Sequence, residues 1–105
     1  MENQKMSKFM VFLQDVNTED SFSPELIEEL TKGHVDHIRN LDAEGILFLC
    51  GLLKGHEKGM LILNAKTYEE AEGYVLKDPF IVNKCYKSYV IYEIVEANAG
   101  NNYLL

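Results

Sequence analysis

Two residues in this 105-residue chain have the type and the setting for proton transfer. His34 sits at the centre of an apolar helical stripe: at about 100° per residue it falls within roughly 40° of Leu30, Ile38 and Leu41, and so faces inward. A buried imidazole needs partners for its ring nitrogens. A carboxylate on one nitrogen fixes the tautomer and leaves the other free to take or give a proton, the arrangement that general acid–base catalysis uses. Asp78 is the candidate carboxylate, on a backbone restricted by Pro79. The same pair also fits a plainer role, a core histidine with a satisfied hydrogen bond and an aspartate that opens a turn before proline.

Other polar residues point elsewhere. His34 and His37 are three apart, a spacing that brings helix neighbours together, and Asp36 lies between them. His37 is displaced by about 60° toward the helix edge, Asp36 points to the opposite side, and no third ligand follows at a recognisable spacing, so no metal is expected. His56 belongs to a glycine-bracketed turn and is expected in solvent. Tyr86, Tyr89 and Tyr92 step by three in a strand-like segment, where even alternation keeps them from sharing a face. They read as packing residues, with one hydroxyl at most reaching a pocket. Cys50 and Cys85 lie in apolar segments without a second thiol nearby and read as reduced packing residues.

Composition bounds the partners. The net charge of −7 opposes a phosphate-backbone partner, so no nucleic acid is expected. Hydrophobic residues make up 47% and charged residues 26%, and no apolar run approaches the roughly 20 residues that span a bilayer, so no membrane partner is expected either. Residues 1–8 are polar, without a secretory layout, and a cytoplasmic location follows as the expectation. One domain is expected over residues 9–96, between a flexible N-terminal segment, 1–8, and a C-terminal tail, 97–105, whose Tyr103, Leu104 and Leu105 could dock on a neighbouring surface.

The elements that must position His34 and Asp78 follow in one alternating series. Residues 9–14 read as a strand, after which Ser23 and Pro24 cap and open a helix that stops at Gly45. Gly33 is awkward inside that helix, and Thr31 before it offers a second cap, with the main helix then starting near residue 32. Runs 46–53 and 60–65 form a hairpin around a polar turn. Thr67 and Glu70 make a capping box for a second helix that ends by Asp78, and 86–96 is the last strand. The order βαββαβ is ferredoxin-like α+β: a four-stranded antiparallel sheet with both helices on one face. In this topology the second helix ends at the sheet edge where the first begins, which brings Asp78 toward His34. The strands are apolar at successive positions, hence on both faces, so the open face needs a cover. A second copy is the expected one, making a homodimer through that face; a tail folded over the sheet is the alternative.

The segment from His34 through Gly45, with Ile46, Leu47 and Gly51, resembles the YCII-related (YciI-like) pattern of an early-helix histidine, a helix-ending glycine and a strand closing on glycine. Tyr68, Glu69, Glu70 and Ala71, then Lys77, Asp78, Pro79 and Phe80, resemble that family's second helix and its Asp-Pro-aromatic stop. The likeness spans roughly residues 9–95. It implies a dimeric α+β barrel similar in architecture to muconolactone isomerases, and a His-Asp dyad on His34 and Asp78. The chain departs from the pattern at Thr31, where the family often has arginine, and at Leu52, where it usually has proline. Loss of that arginine removes a fixed partner for an anionic group, and Leu52 reshapes the pocket rim.

Two functions are compatible with this reading. One is a cofactor-free isomerase or lyase acting on a small cyclic or aromatic metabolite. His34 would move the proton, Asp78 would hold the imidazolium, Gly51 would allow close approach, Leu52 would form the rim and Phe80 an apolar wall. The other is a non-catalytic dimeric module that binds a small ligand in the same pocket.

Overall fold

The structure is a computed structural model that describes residues 5–18 and 22–105. Residues 1–4 of the expected N-terminal segment, and 19–21 of the loop after the first strand, lie outside the described residues. In β1 (Ser7–Val16), Phe9, Val11 and Leu13 are fully buried, while Lys8, Met10 and Phe12, which alternate with them, are half-buried. Ser23 caps α1 (Pro24–Ala43): its hydroxyl accepts the Leu26 N–H at 3.1 Å, and Pro24 occupies the first turn, where a missing N–H leaves nothing unpaired. Such a cap stabilises a helix by about 1 kcal/mol. The helix passes unbroken through Gly33. Thr31 is no second cap, because its hydroxyl donates back to the Ile27 carbonyl at 2.7 Å, a bond made within a continuing helix. Gly45, at φ 75°, turns the chain out of the helix.

The hairpin pairs β2 (Leu47–Leu52) with β3 (Gly59–Ala65), and the register shifts between Leu47 and Leu49. Thr67 caps α2 (Tyr68–Leu76) by accepting the Glu70 N–H at 3.0 Å. The Glu70 carboxylate reaches past Thr67 and takes the Lys66 N–H at 3.0 Å, so the expected box closes one residue earlier. Pro79 then opens a short turn of helix that the sequence pattern does not anticipate, α3 (Pro79–Val82), before β4 (Tyr86–Ile94). In the tail, Asn98 and Asn101 cap each other's backbone within Ala99–Leu104, a kinked stretch in which Asn101, Asn102 and Tyr103 leave helical angles.

The sheet order is β2-β3-β1-β4, with every neighbouring pair antiparallel. This is the ferredoxin-like α+β architecture. One face, with Phe9, Val11, Leu13, Leu61, Leu63 and Ile91, packs with Leu41, Ala71 and Val75 of the helices into a single core. The other face carries Met10, Phe12, Met60, Ile62 and Val90, all half-buried, together with exposed Phe48, Leu49 and Tyr92. It is apolar and open. The tail does not close over it, since Tyr103, Leu104 and Leu105 are themselves exposed. Among the described residues no helix is long and apolar enough to cross a membrane.

Candidate active site

Between the middle of α1, the strands of the hairpin, α3 and the start of β4 lies a cavity of about 280 Å³. Its wall is mainly apolar, with Leu13, Ile38, Leu52, Leu61 and Phe80, and two side chains with polar ends enter it, His34 and Tyr86.

His34 and Asp78 are in direct contact. The ring Nδ1 stands 2.8 Å from one carboxylate oxygen of Asp78 and 2.9 Å from the other. A carboxylate only accepts, so Nδ1–H donates, and Nε2 of the neutral ring then carries the lone pair. Among the described residues Nε2 has no protein partner, and no side-chain nitrogen or oxygen is both buried and unpartnered, so Nε2 opens to space. The His34 side chain is 23% exposed, whereas Asp78 is 2% exposed.

Phe80 holds both members of the pair. Its N–H donates to Asp78 Oδ1 at 2.9 Å, which makes Asp78 the cap of α3. Its ring stacks on His34, with centroids 4.3 Å apart and planes 14° apart. Asp78 thus lies behind His34, among Leu41, Leu63 and Val75, and does not line the cavity. Chemically, the arrangement presents an oriented base on an apolar wall.

The remaining expected residues divide. Leu52, opposite Gly59 in the ladder, stands at the cavity mouth and is 79% exposed. Gly51 contributes backbone only. It pairs with Met60, whose side belongs to the open face, and a Cβ built on it meets nothing within 4 Å, so the missing side chain creates no close approach inside the chain. His37 Nε2 lies 2.8 Å from the Tyr74 carbonyl and Asp36 pairs with Arg39 at 3.2 Å, so both face away from the cavity's chemistry. Among the described residues no three His, Cys, Asp or Glu side chains are grouped to hold a metal ion.

Tyr86 is the polar group that the spacing of the tyrosines left unspecified. Even alternation separates it from Tyr89, yet both pack against the core. The register between β1 and β4 stays in step through this end of the ladder, with Gln14 opposite Ser88 and Val16 opposite Tyr86, and Asp15 between them is at φ 61°. Burial first, then the charges of Asp78 and Cys85, push the Tyr86 phenol above its ordinary value of 10.0.

The fold is that of an α+β protein with one four-stranded antiparallel sheet, which is not closed in the single chain. The chain is similar in structure to 5-chloro-2-hydroxyhydroquinone dehydrochlorinase (TftG) from Burkholderia phenoliruptrix AC1100, solved in complex with 2,5-dihydroxybenzoquinone. The TM-score is 0.65 over 84% of this chain and 93% of that one, at 16% identity, a likeness of fold. No protein-family model matches the sequence, and no curated protein matches it significantly.

Proposed function

We propose that this chain is a cofactor-free enzyme of YCII-related type, an isomerase or lyase that moves a proton on a small cyclic or aromatic substrate. The single observation that carries the reading is the 2.8 Å contact between His34 Nδ1 and Asp78, with Nε2 left open beside an apolar cavity. Nε2 takes a proton from carbon or oxygen of the bound ring, and the resulting imidazolium is held by Asp78, whose second donor, the Phe80 N–H, keeps the carboxylate in place. Returning the proton to another ring atom completes an isomerisation. Losing a leaving group from the ring instead completes an elimination. The structural neighbour, a dehydrochlorinase bound to a dihydroxybenzoquinone, supports hydroxylated rings as the first substrates to try. A second copy covers the open sheet face in the working form.

The test is turnover of a panel of phenols, hydroxyquinones and lactones by the wild type, His34→Ala and Asp78→Ala. The expected result is a loss of about 100-fold or more in each variant. Turnover that survives both changes sinks the dyad. Ligands that bind without ever being converted make the chain a binding module instead.

A further inference from the structure

Among the described residues no group hydrogen-bonds the Tyr86 hydroxyl. The tyrosine ring meets Phe80 edge-on, with centroids 5.9 Å apart at 66°, and this is the same Phe80 whose face lies on His34. The hydroxyl approaches Gly59, where a built Cβ would stand 3.5 Å from the phenol oxygen. Gly59 and Tyr86 both line the cavity, which puts the polar end of the ring at the cavity wall. Among the described residues the oxygen makes no hydrogen bond, and no buried side-chain oxygen or nitrogen is left unpartnered, so this one is accessible from the cavity. A tyrosine hydroxyl set into an apolar wall ordinarily finds a partner. Here the described residues supply none.

We propose, on the basis of the enzyme reading above, that Tyr86 is a specificity-determining residue whose hydroxyl donates a hydrogen bond to an oxygen on the ligand ring, so that the cavity selects phenols and cyclic ketones over hydrocarbon rings of equal size. The raised phenol remains protonated across the ordinary pH range and is therefore a donor throughout. The cavity then offers one acceptor, His34 Nε2, and one donor, the Tyr86 hydroxyl, flanking the Phe80 ring. When a proton leaves the ligand for Nε2, charge builds on a conjugated oxygen, which is where a fixed donor acts most strongly. A site built to bond an oxygen also rejects analogues that lack it, because its donor is then left dry.

The experiment measures binding of catechol and toluene to the wild type, Tyr86→Phe and His34→Gln by calorimetric titration, with turnover assayed separately. Tyr86→Phe should weaken catechol roughly 3- to 10-fold and leave toluene unchanged, and the wild type should prefer catechol. In His34→Gln the preference for catechol persists. Carbon-13 labelling of the tyrosines gives an independent reading in the wild type: the Tyr86 carbon bearing the hydroxyl should shift with catechol and stay put with toluene. Equal weakening of both ligands, an unmoved Tyr86 signal, or a wild type that binds neither ring overturns the proposal. Binding with the expected selectivity but no turnover of any substrate overturns the enzyme reading and leaves Tyr86 standing; turnover indifferent to Tyr86→Phe does the reverse.

Discussion

Gly33 of α1 lies so close to Pro79 of α3 that a Cβ built on the glycine would stand 3.1 Å from Pro79 Cγ. The contact sets the approach of the two helices and seats His34, the next residue, beside Asp78, which precedes the proline. Alanine is favoured over glycine in a helix by about 1 kcal/mol, but here the added methyl must push back a stiff ring bonded to the dyad's carboxylate residue. Gly33→Ala is therefore expected to gain none of that stability, and Gly33→Leu to lose about 2–3 kcal/mol. Urea unfolding midpoints decide it: an alanine variant stabilised by the full helix increment removes the packing role.

On the proposed reading Asp78 does two jobs that substitution can separate. Asparagine still offers an oxygen to the Phe80 N–H, so the cap of α3 survives, but it cannot hold a positive imidazolium. Asp78→Asn should stay within about 1 kcal/mol of wild-type stability and lose about 100-fold or more in turnover. Asp78→Ala should lose a similar turnover and a further 1–2 kcal/mol or so, since the Phe80 N–H is orphaned as well. Full activity in the asparagine variant would falsify the assigned role of the carboxylate.

Much of this was legible because it is local. The stripe around His34 and the Ser23 and Thr67 caps follow from neighbouring residues, and Asp78 is conspicuous before Pro79. The rest depends on partners far along the chain. Gly33 looks like a flaw in a helix until Pro79, remote in sequence, is seen against it. Four residues carry no periodicity, so α3 is invisible until its proline and aspartate are read as a start rather than a stop. The tyrosine spacing does not say which hydroxyl reaches a pocket, and Tyr86 stands out only once its ring is seen against Phe80 and its oxygen beside Gly59.

The two thiols should react unequally. Cys50 is exposed at the cavity wall. Cys85 is half-buried, and burial followed by the charge of Asp78 pushes its thiol up, which depletes the reactive thiolate. A maleimide is expected to modify Cys50 first, and a ligand in the cavity to slow that reaction while leaving Cys85 unaffected. Peptide mass mapping over time shows the order; faster labelling of Cys85 contradicts it.

Tyr89 gives a signature in alkali. Its hydroxyl donates to Glu72 at 2.7 Å, and this bond first, with burial and the carboxylate's charge behind it, pushes the phenol up to about 12 from 10.0. A raised value in the folded state means that the proton is held more tightly there. The resulting stability is fully present below pH 10 and is lost as pH rises through about 12. Tyr89→Phe should flatten the decline in unfolding free energy across that window, and Glu72→Gln should bring the phenol's ultraviolet titration back toward its ordinary position. An unchanged titration in Glu72→Gln rules out the carboxylate as the cause.

The open sheet face makes the firmest demand on assembly. Phe12 and Tyr92 pack edge to face there, with centroids 6.4 Å apart, and Lys8 covers part of Phe48, its ammonium 4.8 Å from the ring centroid. These contacts shield the patch only in part, for Phe48 and Tyr92 each remain 58% exposed. An apolar surface of this extent on a lone chain would be unusual, and a two-fold copy of the same surface is its simplest complement. Phe12→Glu places a charge at the middle of that surface. In a single chain it costs little, because the carboxylate reaches water; between two sheets it must be buried unpaired, at a cost of several kcal/mol. Sedimentation should therefore give two chains for the wild type and one for Phe12→Glu, with dissociation made at least about 100-fold easier. Arg39→Gln, on the exposed side of α1, should leave the wild-type mass unchanged. A wild type that sediments as one chain, with the same mass as Phe12→Glu, would show that the sheet carries its apolar face in water.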